Sequence, residues 1–281
     1  MPSPRFQRAA LLLAMAALAP TLMPWSARAL PDTEVEAKLD TVLMLMSVDQ
    51  NGQPRAVNAT INGQSVQAYL AAMSIAAAEE IQAGKRFAVA KEELPSLRFA
   101  PVSLSRFNQL LAPLLQKQPK EVGAIAPDPG QIDRTALLLK DQNIPEDKAR
   151  AIAAQQPMIF CPVPGLLVNS SKGPKKDQPF VPCATELTII DAIVQRGIKE
   201  SPKLAQARPK VVAIPLNNFI SYLRQEPAAR VGQLRILPDS RLARLVVDLN
   251  SKAKAATPST APNPRSTPAA PPRPRTTPAT P

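Results

Sequence analysis

The sequence predicts an α+β protein of two similar halves, each a small mixed sheet with helices, related as an internal duplication about a pseudo-twofold axis. Three observations predict it. Apolar residues alternate with polar ones between turn dipeptides, which marks strands. Apolar residues recur at helical spacing after capping residues, which marks helices. The order of these elements then occurs a second time.

In the first half, about 41–140, Val42 to Val48 is an apolar run that ends at Asp49-Gln50-Asn51-Gly52, a hairpin-type turn. Val57, Ala59 and Ile61 alternate as a half-buried strand, and Asn62-Gly63 makes the next turn. A third strand follows over 65–71. Ser74 caps a helix that reaches Gln82 and stops near Gly84. Phe99-Ala100-Pro101-Val102 is a strand running into a helix with Leu104, Phe107, Leu111, Leu114 and Leu115 on one face. Ala124-Ile125-Ala126-Pro127-Asp128 repeats that joint, and Asp128 caps a helix carrying Ile132, Ala136 and Leu139.

A polar connection follows, with a short helix start at Pro145-Glu146-Asp147. In the second half, about 157–251, Met158 to Val163 is the apolar run, 165–169 and 178–182 are strands, and 170–177 is a long basic turn. A helix from Thr185 or Thr188 ends before Gly197. Ala213-Ile214-Pro215-Leu216 answers Phe99-Ala100-Pro101-Val102, and Phe219, Ile220 and Leu223 continue as a helix. Arg235-Ile236-Leu237-Pro238-Asp239 answers the joint at Asp128, with Leu242, Leu245, Val246 and Leu249 behind it. Such a pair of units packs with a groove between or beside them.

The two ends differ in composition from this core. Residues 1–29 read as a secretory signal, with Arg5 and Arg8 at the start, an apolar run from Ala9 to Ala19 and the cleavage pattern Ala27-Arg28-Ala29. The domain is expected over 30–251. The segment 252–281 reads as a disordered basic tail, because Ala256 to Pro281 holds nine prolines and no acid. That tail serves either as a weak tether to an anionic surface or as plain solvated chain. Arg5, Arg8 and Arg28, with Lys252, Lys254, Arg265, Arg273 and Arg275, carry eight of the twelve net positive charges, so Leu30 to Asn250 is only +4. With aromatic residues at 4%, this core is not a nucleic-acid binder.

Composition also limits the chemistry. The chain has no histidine, so Ser-His-Asp and Cys-His nucleophiles, an imidazole base and His-ligated zinc or haem are all excluded. Two cysteines cannot build a four-cysteine metal site. Glu79-Glu80 and Glu92-Glu93 are neighbours that do not share a helix face, and Ser171-Lys172 lies in a turn without a supporting constellation. No catalytic, cofactor-binding or metal residue is assigned, and the protein is expected not to be an enzyme. Outside the cytoplasm Cys161 and Cys183 form either a disulfide or two buried thiols.

The alternating strand entry, the Ser-capped helix, Pro101-Val102-Ser103-Leu104, Pro127-Asp128-Pro129 and the shortened copy at Ile214-Pro215-Leu216 and Leu237-Pro238-Asp239 together resemble one family. It is the soluble 22-kDa subunit family of the chloroplast inner-envelope translocon (Tic), in its cyanobacterial form. The resemblance implies a non-enzymatic, chaperone-like factor of protein transport in the periplasm or thylakoid lumen. It implies unfolded outer-membrane precursors and the Omp85-type assembly pore as partners, and apolar grooves as the binding surface. A structural scaffold that docks one folded envelope partner is the alternative.

The residues that fit such a surface are Met44, Met46, Phe107, Leu110, Leu111, Phe219 and Tyr222. Methionines adapt to varied partners, and leucines at helical spacing line grooves for extended segments. The same spacing equally describes a packed core. Pairing at sheet edges is the expected second source of affinity.

Overall fold

The computed structural model describes residues 29–169 and 178–256. Residues 1–28 of the expected signal, the basic turn at 170–177 and the tail from 257 onward lie outside the described residues. The chain runs α1 (Asp32–Leu39), β1 (Leu43–Val48), β2 (Ala56–Ile61), β3 (Gln64–Ala72), α2 (Ile75–Gln82), β4 (Arg98–Ser103), α3 (Leu104–Lys117), β5 (Glu121–Ala126), α4 (Ile132–Asp141) and α5 (Glu146–Gln155). It continues with β6 (Met158–Val163), β7 (Val168–Asn169), β8 (Pro179–Ala184), α6 (Leu187–Glu200), α7 (Pro202–Ala207), β9 (Lys210–Pro215), α8 (Leu216–Gln225), α9 (Ala228–Val231), β10 (Leu234–Leu237) and α10 (Ser240–Ala256).

The strands form two mixed sheets, so the class is α+β. In the first, β1 lies antiparallel between β4 and β3, and β5 runs parallel to β3. In the second, β6 lies antiparallel between β9 and β8, and β10 runs parallel to β8. Strand order and senses are the same in both. The turn after β1 folds the chain back only briefly, with Asp49 N–H on the Gln53 carbonyl, Arg55 N–H on the Ser47 carbonyl and Val48 opposite Pro54, and β2 then runs on without pairing along β1. Residues 64–69 of β3 face β2, and its residues 71–72 face β1, while 67–72 face β5. A strand has two edges, so β1 and β2 share one edge of β3 as a single interrupted strand. The hairpin turn is Asn62-Gly63, with φ of 51° and 78°, the double positive φ that a tight two-residue hairpin needs.

The registers correct one expected match. Leu104 N–H donates to the Val42 carbonyl, and Leu216 N–H donates to the Pro157 carbonyl, both at 2.8 Å. Ser103 pairs with Leu43 as Pro215 pairs with Met158. Pro215 therefore stands where Ser103 does, at the start of its helix, and not where Pro101 does. The two prolines obey different constraints. Pro101 sits on an edge strand, whose outer side needs no donor, and Pro215 precedes a helix whose first N–H groups lack internal partners. Gly197 is a second correction. It lies inside α6, not beyond it, and its missing side chain makes room for Leu166 and Leu204, which a Cβ there would meet at 3.3 Å.

One central apolar cluster joins a face of each sheet. Met44, Met46, Tyr69 and Ala71 come from the first sheet, Ile159, Cys161, Cys183 and Ile214 from the second, and α1, α3 and α8 fill between them. The outer faces are covered by α2 and α6 of the same half and, in addition, crosswise by a helix of the other half. Leu139 of α4 packs with Met158, Phe160 and Ala213 of the second sheet, although α4 follows β5 of the first. Leu242 of α10 packs with Leu70, Ile81 and Leu97 of the first, although α10 follows β10 of the second. Contacts divide the chain after Val246. All strands precede that point, and beyond it the last turns of α10 expose Val247 and Leu249.

Cys161 and Cys183 are bonded, with their Cα atoms 4.4 Å apart. The ladder explains the location. β6 and β8 pair only at Phe160 with Ala184. Carried on, that register sets Cys161 opposite Cys183, at the spacing of a non-hydrogen-bonded pair. The next pair would be Pro162 and Pro182, at a position where both residues must donate N–H groups that proline lacks. The sulfur bridge replaces hydrogen bonds the sheet cannot make. Replacing both cysteines by alanine is expected to lower the unfolding free energy by about 3 kcal/mol, from the 22-residue separation. A urea unfolding series on the two proteins measures it.

Candidate functional site

The expected apolar surface residues lie together, but inside. Met44, Met46, Phe107, Leu111, Phe219 and Tyr222 are all buried in the central cluster, and Leu110 packs half-buried against it. This corrects the reading of the six buried residues as an accessible binding surface, and leaves Leu110 partly accessible. A spacing that serves a groove also serves a core, and here the opposite sheet supplies the cover. Burial, with the Glu226 charge adding to it and Arg230 opposing, pushes the Tyr222 phenol up to about 12.

The accessible concavity lies elsewhere. A groove of about 550 Å³ runs along Gly123, Ala124 and Ile125 of β5. Its other walls are Phe87, the end of α5 through Pro157, and the first residues of α8 at Leu216 and Asn217. Arg86 fastens one rim, pairing with Glu80 at 3.0 Å and donating from Nη1 to the Ala154 carbonyl at 3.0 Å. Phe87 and Ala88 hold φ of 61° and 38°, sparsely populated for bulky residues, and the Phe87 carbonyl accepts from Thr60 N–H. A second, larger concavity of about 770 Å³ lies near Lys117, Lys120, Gln67 and Glu121.

Behind the first groove, helix starts from both halves meet. Ser74 accepts from Ala77 N–H and donates from Oγ to Asp128 Oδ1 at 3.1 Å. Gln131 donates to Asp128 Oδ2 at 2.8 Å and to the Thr185 carbonyl at 3.3 Å. Its Oε1 accepts from Leu187 N–H, which supplies the cap that Glu186 does not give its own helix. Glu186 instead accepts from Ser240 N–H and Oγ, and Asp239 accepts from Arg241 and Leu242 N–H groups. Carboxylates suit these positions because helix N-termini carry partial positive charge. The sequence pattern foretold the caps at Ser74 and Asp128; the bridging role of Gln131 has no local signal.

These carboxyls are pushed in opposite directions. Burial raises Asp239. The Leu242 N–H opposes it, and the charges of Glu186 and Asp128 add to the rise. Burial also acts upward on Glu186, but hydrogen bonds from Thr188 and Ser240 and the Arg241 charge outweigh it, and its acidity ends below the usual glutamate value. Stability linked to Asp239 is full below its unfolded value of about 3.9 and is lost as pH rises through its higher folded value. Stability linked to Glu186 is full above about 4.3 and is lost as pH falls through its lower folded value. Asp239→Asn, which still caps a helix, is therefore expected to hold or raise Tm at pH 7. Glu186→Gln is expected to lower Tm there. Both differences from wild type shrink in acid, and thermal melts from pH 2 to pH 8 (a range of about six units, spanning these values) measure them.

Among the described residues, no group of three or more Cys, Asp or Glu side chains is placed to hold a metal ion. No helix of the described residues is long and apolar enough to cross a membrane.

Comparison with known proteins locates the fold. No family model matches the sequence, and no curated protein matches it. Among solved structures, the chain is similar to Tic22 of Anabaena, described as a protein of protein transport. The TM-score is 0.59 at 16% identity, covering 78% of this chain and 97% of that one. It is also similar to Tic22 from Plasmodium falciparum, with a TM-score of 0.54 at 10% identity, covering 78% of this chain and 98% of that one. The chain therefore has the Tic22 fold, as the resemblance in its motifs implies.

Proposed function

We propose that this protein is a non-enzymatic factor of protein transport outside the cytoplasm. It holds unfolded outer-membrane precursors and passes them toward an Omp85-type assembly pore, in the periplasm or thylakoid lumen. The observation that carries the reading is the shared fold, which covers almost the whole of a protein described by its transport role. The groove beside β5 supports it, since it is open to solvent, about 550 Å³ in volume and lined partly by apolar side chains. The proposed mechanism is passive. Affinity comes from apolar area and backbone pairing, and nothing in it requires nucleotide.

The two halves are further proposed to be an ancient duplication about a pseudo-twofold axis. Their common strand order, senses and helix-start bonds support this.

The test is a comparison of two forms of one client. Fluorescence anisotropy of a labelled outer-membrane β-barrel polypeptide, unfolded in dilute urea, is expected to show micromolar binding. The same barrel folded in detergent is expected to show none. Binding to a folded envelope partner, with no preference for unfolded chain, would instead favour the scaffold alternative.

A further inference from the structure

We infer that the outer edge of β5 is a strand-docking site, at which an extended client segment adds to the first sheet. This rests on the client-binding reading above and names the atoms that carry it.

The parity of the ladder identifies those atoms. β5 is parallel to β3, and in a parallel strand the N–H and C=O of one residue point to the same side, alternating along the chain. Met73 N–H donates to the Ala126 carbonyl, so Ala126, Ala124 and Val122 face β3. Glu121, Gly123 and Ile125 face away. Glu121 N–H is satisfied locally by the Gln118 carbonyl. Gly123 and Ile125 are left with two donors and two acceptors that have no hydrogen-bond partner among the described residues. Both line the 550 Å³ groove, and Gly123 is exposed.

The other long edges are closed, each by a different device. On β10 the residue matching Gly123 is Leu234, and its carbonyl accepts from Lys38 Nζ at 2.6 Å. Lys38 also donates to the Gly232 carbonyl, so α1 covers that edge. On β4 the bond from Leu104 N–H to Val42 turns Pro101 outward, and proline offers no donor there. On β9 the outward Ala213 is buried in the cluster that α4 completes. The outer edge of β2 is taken by the 87–93 segment, through Thr60 N–H to Phe87, Ala90 N–H to Asn58 and Asn58 N–H to Glu93. Native sheets suppress open edges because they pair indiscriminately. An edge left open inside a groove, where the rest are blocked, fits a surface kept for an incoming strand.

The chemistry selects the occupant. Two donors and two acceptors alternating at strand spacing are complemented by another extended backbone, whatever its sequence. The matching partner is a short unfolded segment of alternating polar and apolar residues, which is the pattern of a barrel strand before it pairs.

The test is residue-resolved amide exchange by NMR on the intact protein, with and without a peptide of about six alternating Leu and Ser residues. In the free protein, Gly123 and Ile125 amides are expected to exchange faster than those of Val122 and Ala124. Peptide binding, followed independently by anisotropy, is expected to slow both about tenfold or more. Gly123→Pro removes one outward donor and no ladder bond to β3, although its Cβ comes within 3.0 Å of a Leu111 methyl that must shift, and is expected to weaken peptide binding about tenfold. Its circular dichroism and melting curve report whether it folds, and the exchange measurement on wild type does not depend on that variant. Binding that leaves Gly123 and Ile125 exchange unchanged overturns the edge site and leaves client binding standing. No binding of peptide or unfolded barrel overturns both.

Discussion

The crosswise cover of the two sheets is the constraint on which the rest depends. Each sheet has one face toward the central cluster and one toward outside, and the outer face needs a helix to shield it. α4 leaves the first half to cover Phe160 and Ala213, and α10 leaves the second to cover Ile81 and Leu97. Each outer face is thus shared between a helix of its own half, α2 or α6, and one sent across from the other half. The helix starts are consequently brought to one place, where Gln131 caps α6 from the opposite half and Glu186 receives Ser240. Burial and mutual charge at that junction raise Asp239, an unfavourable term that the surrounding packing sustains.

The same arrangement decides which edges remain open. α1 fills between the sheets in the central cluster, and from there Lys38 reaches β10. Nothing equivalent stands before β5, where the chain instead passes from α5 into β6 and leaves a groove. Two sheets of the same strand order thus acquire one closed edge and one open edge at matching positions. The difference between the halves, more than their likeness, is what leaves the edge of β5 open.

Much of the fold was legible in the sequence because it is locally determined. Val57, Ala59 and Ile61 alternate, Asn62-Gly63 permits a turn few residues accept, and Ser74 and Asp128 supply oxygens to unpaired N–H groups. Where the cause is tertiary, the sequence was silent or ambiguous. Phe107, Leu111 and Phe219 carry the spacing of an apolar face, and only the second sheet determines that the face is buried. Gly197 resembles a helix stop until Leu166 and Leu204 are seen against it. The matched Pro101 and Pro215 are a coincidence of two separate uses of proline, two positions out of register. The open edge at Gly123 needs the ladder parity and has no sequence signature at all.

The measurement that bears most directly on this account is native-state hydrogen exchange across both sheets. If the sheets share a core and exchange their covering helices, the slowest amides of β3 and β8 open only with the whole molecule. Their opening free energies should then agree within about 0.5 kcal/mol, and respond together to urea. Values that differ by several kcal/mol, with one sheet opening while the other stays protected, would contradict the interlocked architecture on which the groove depends.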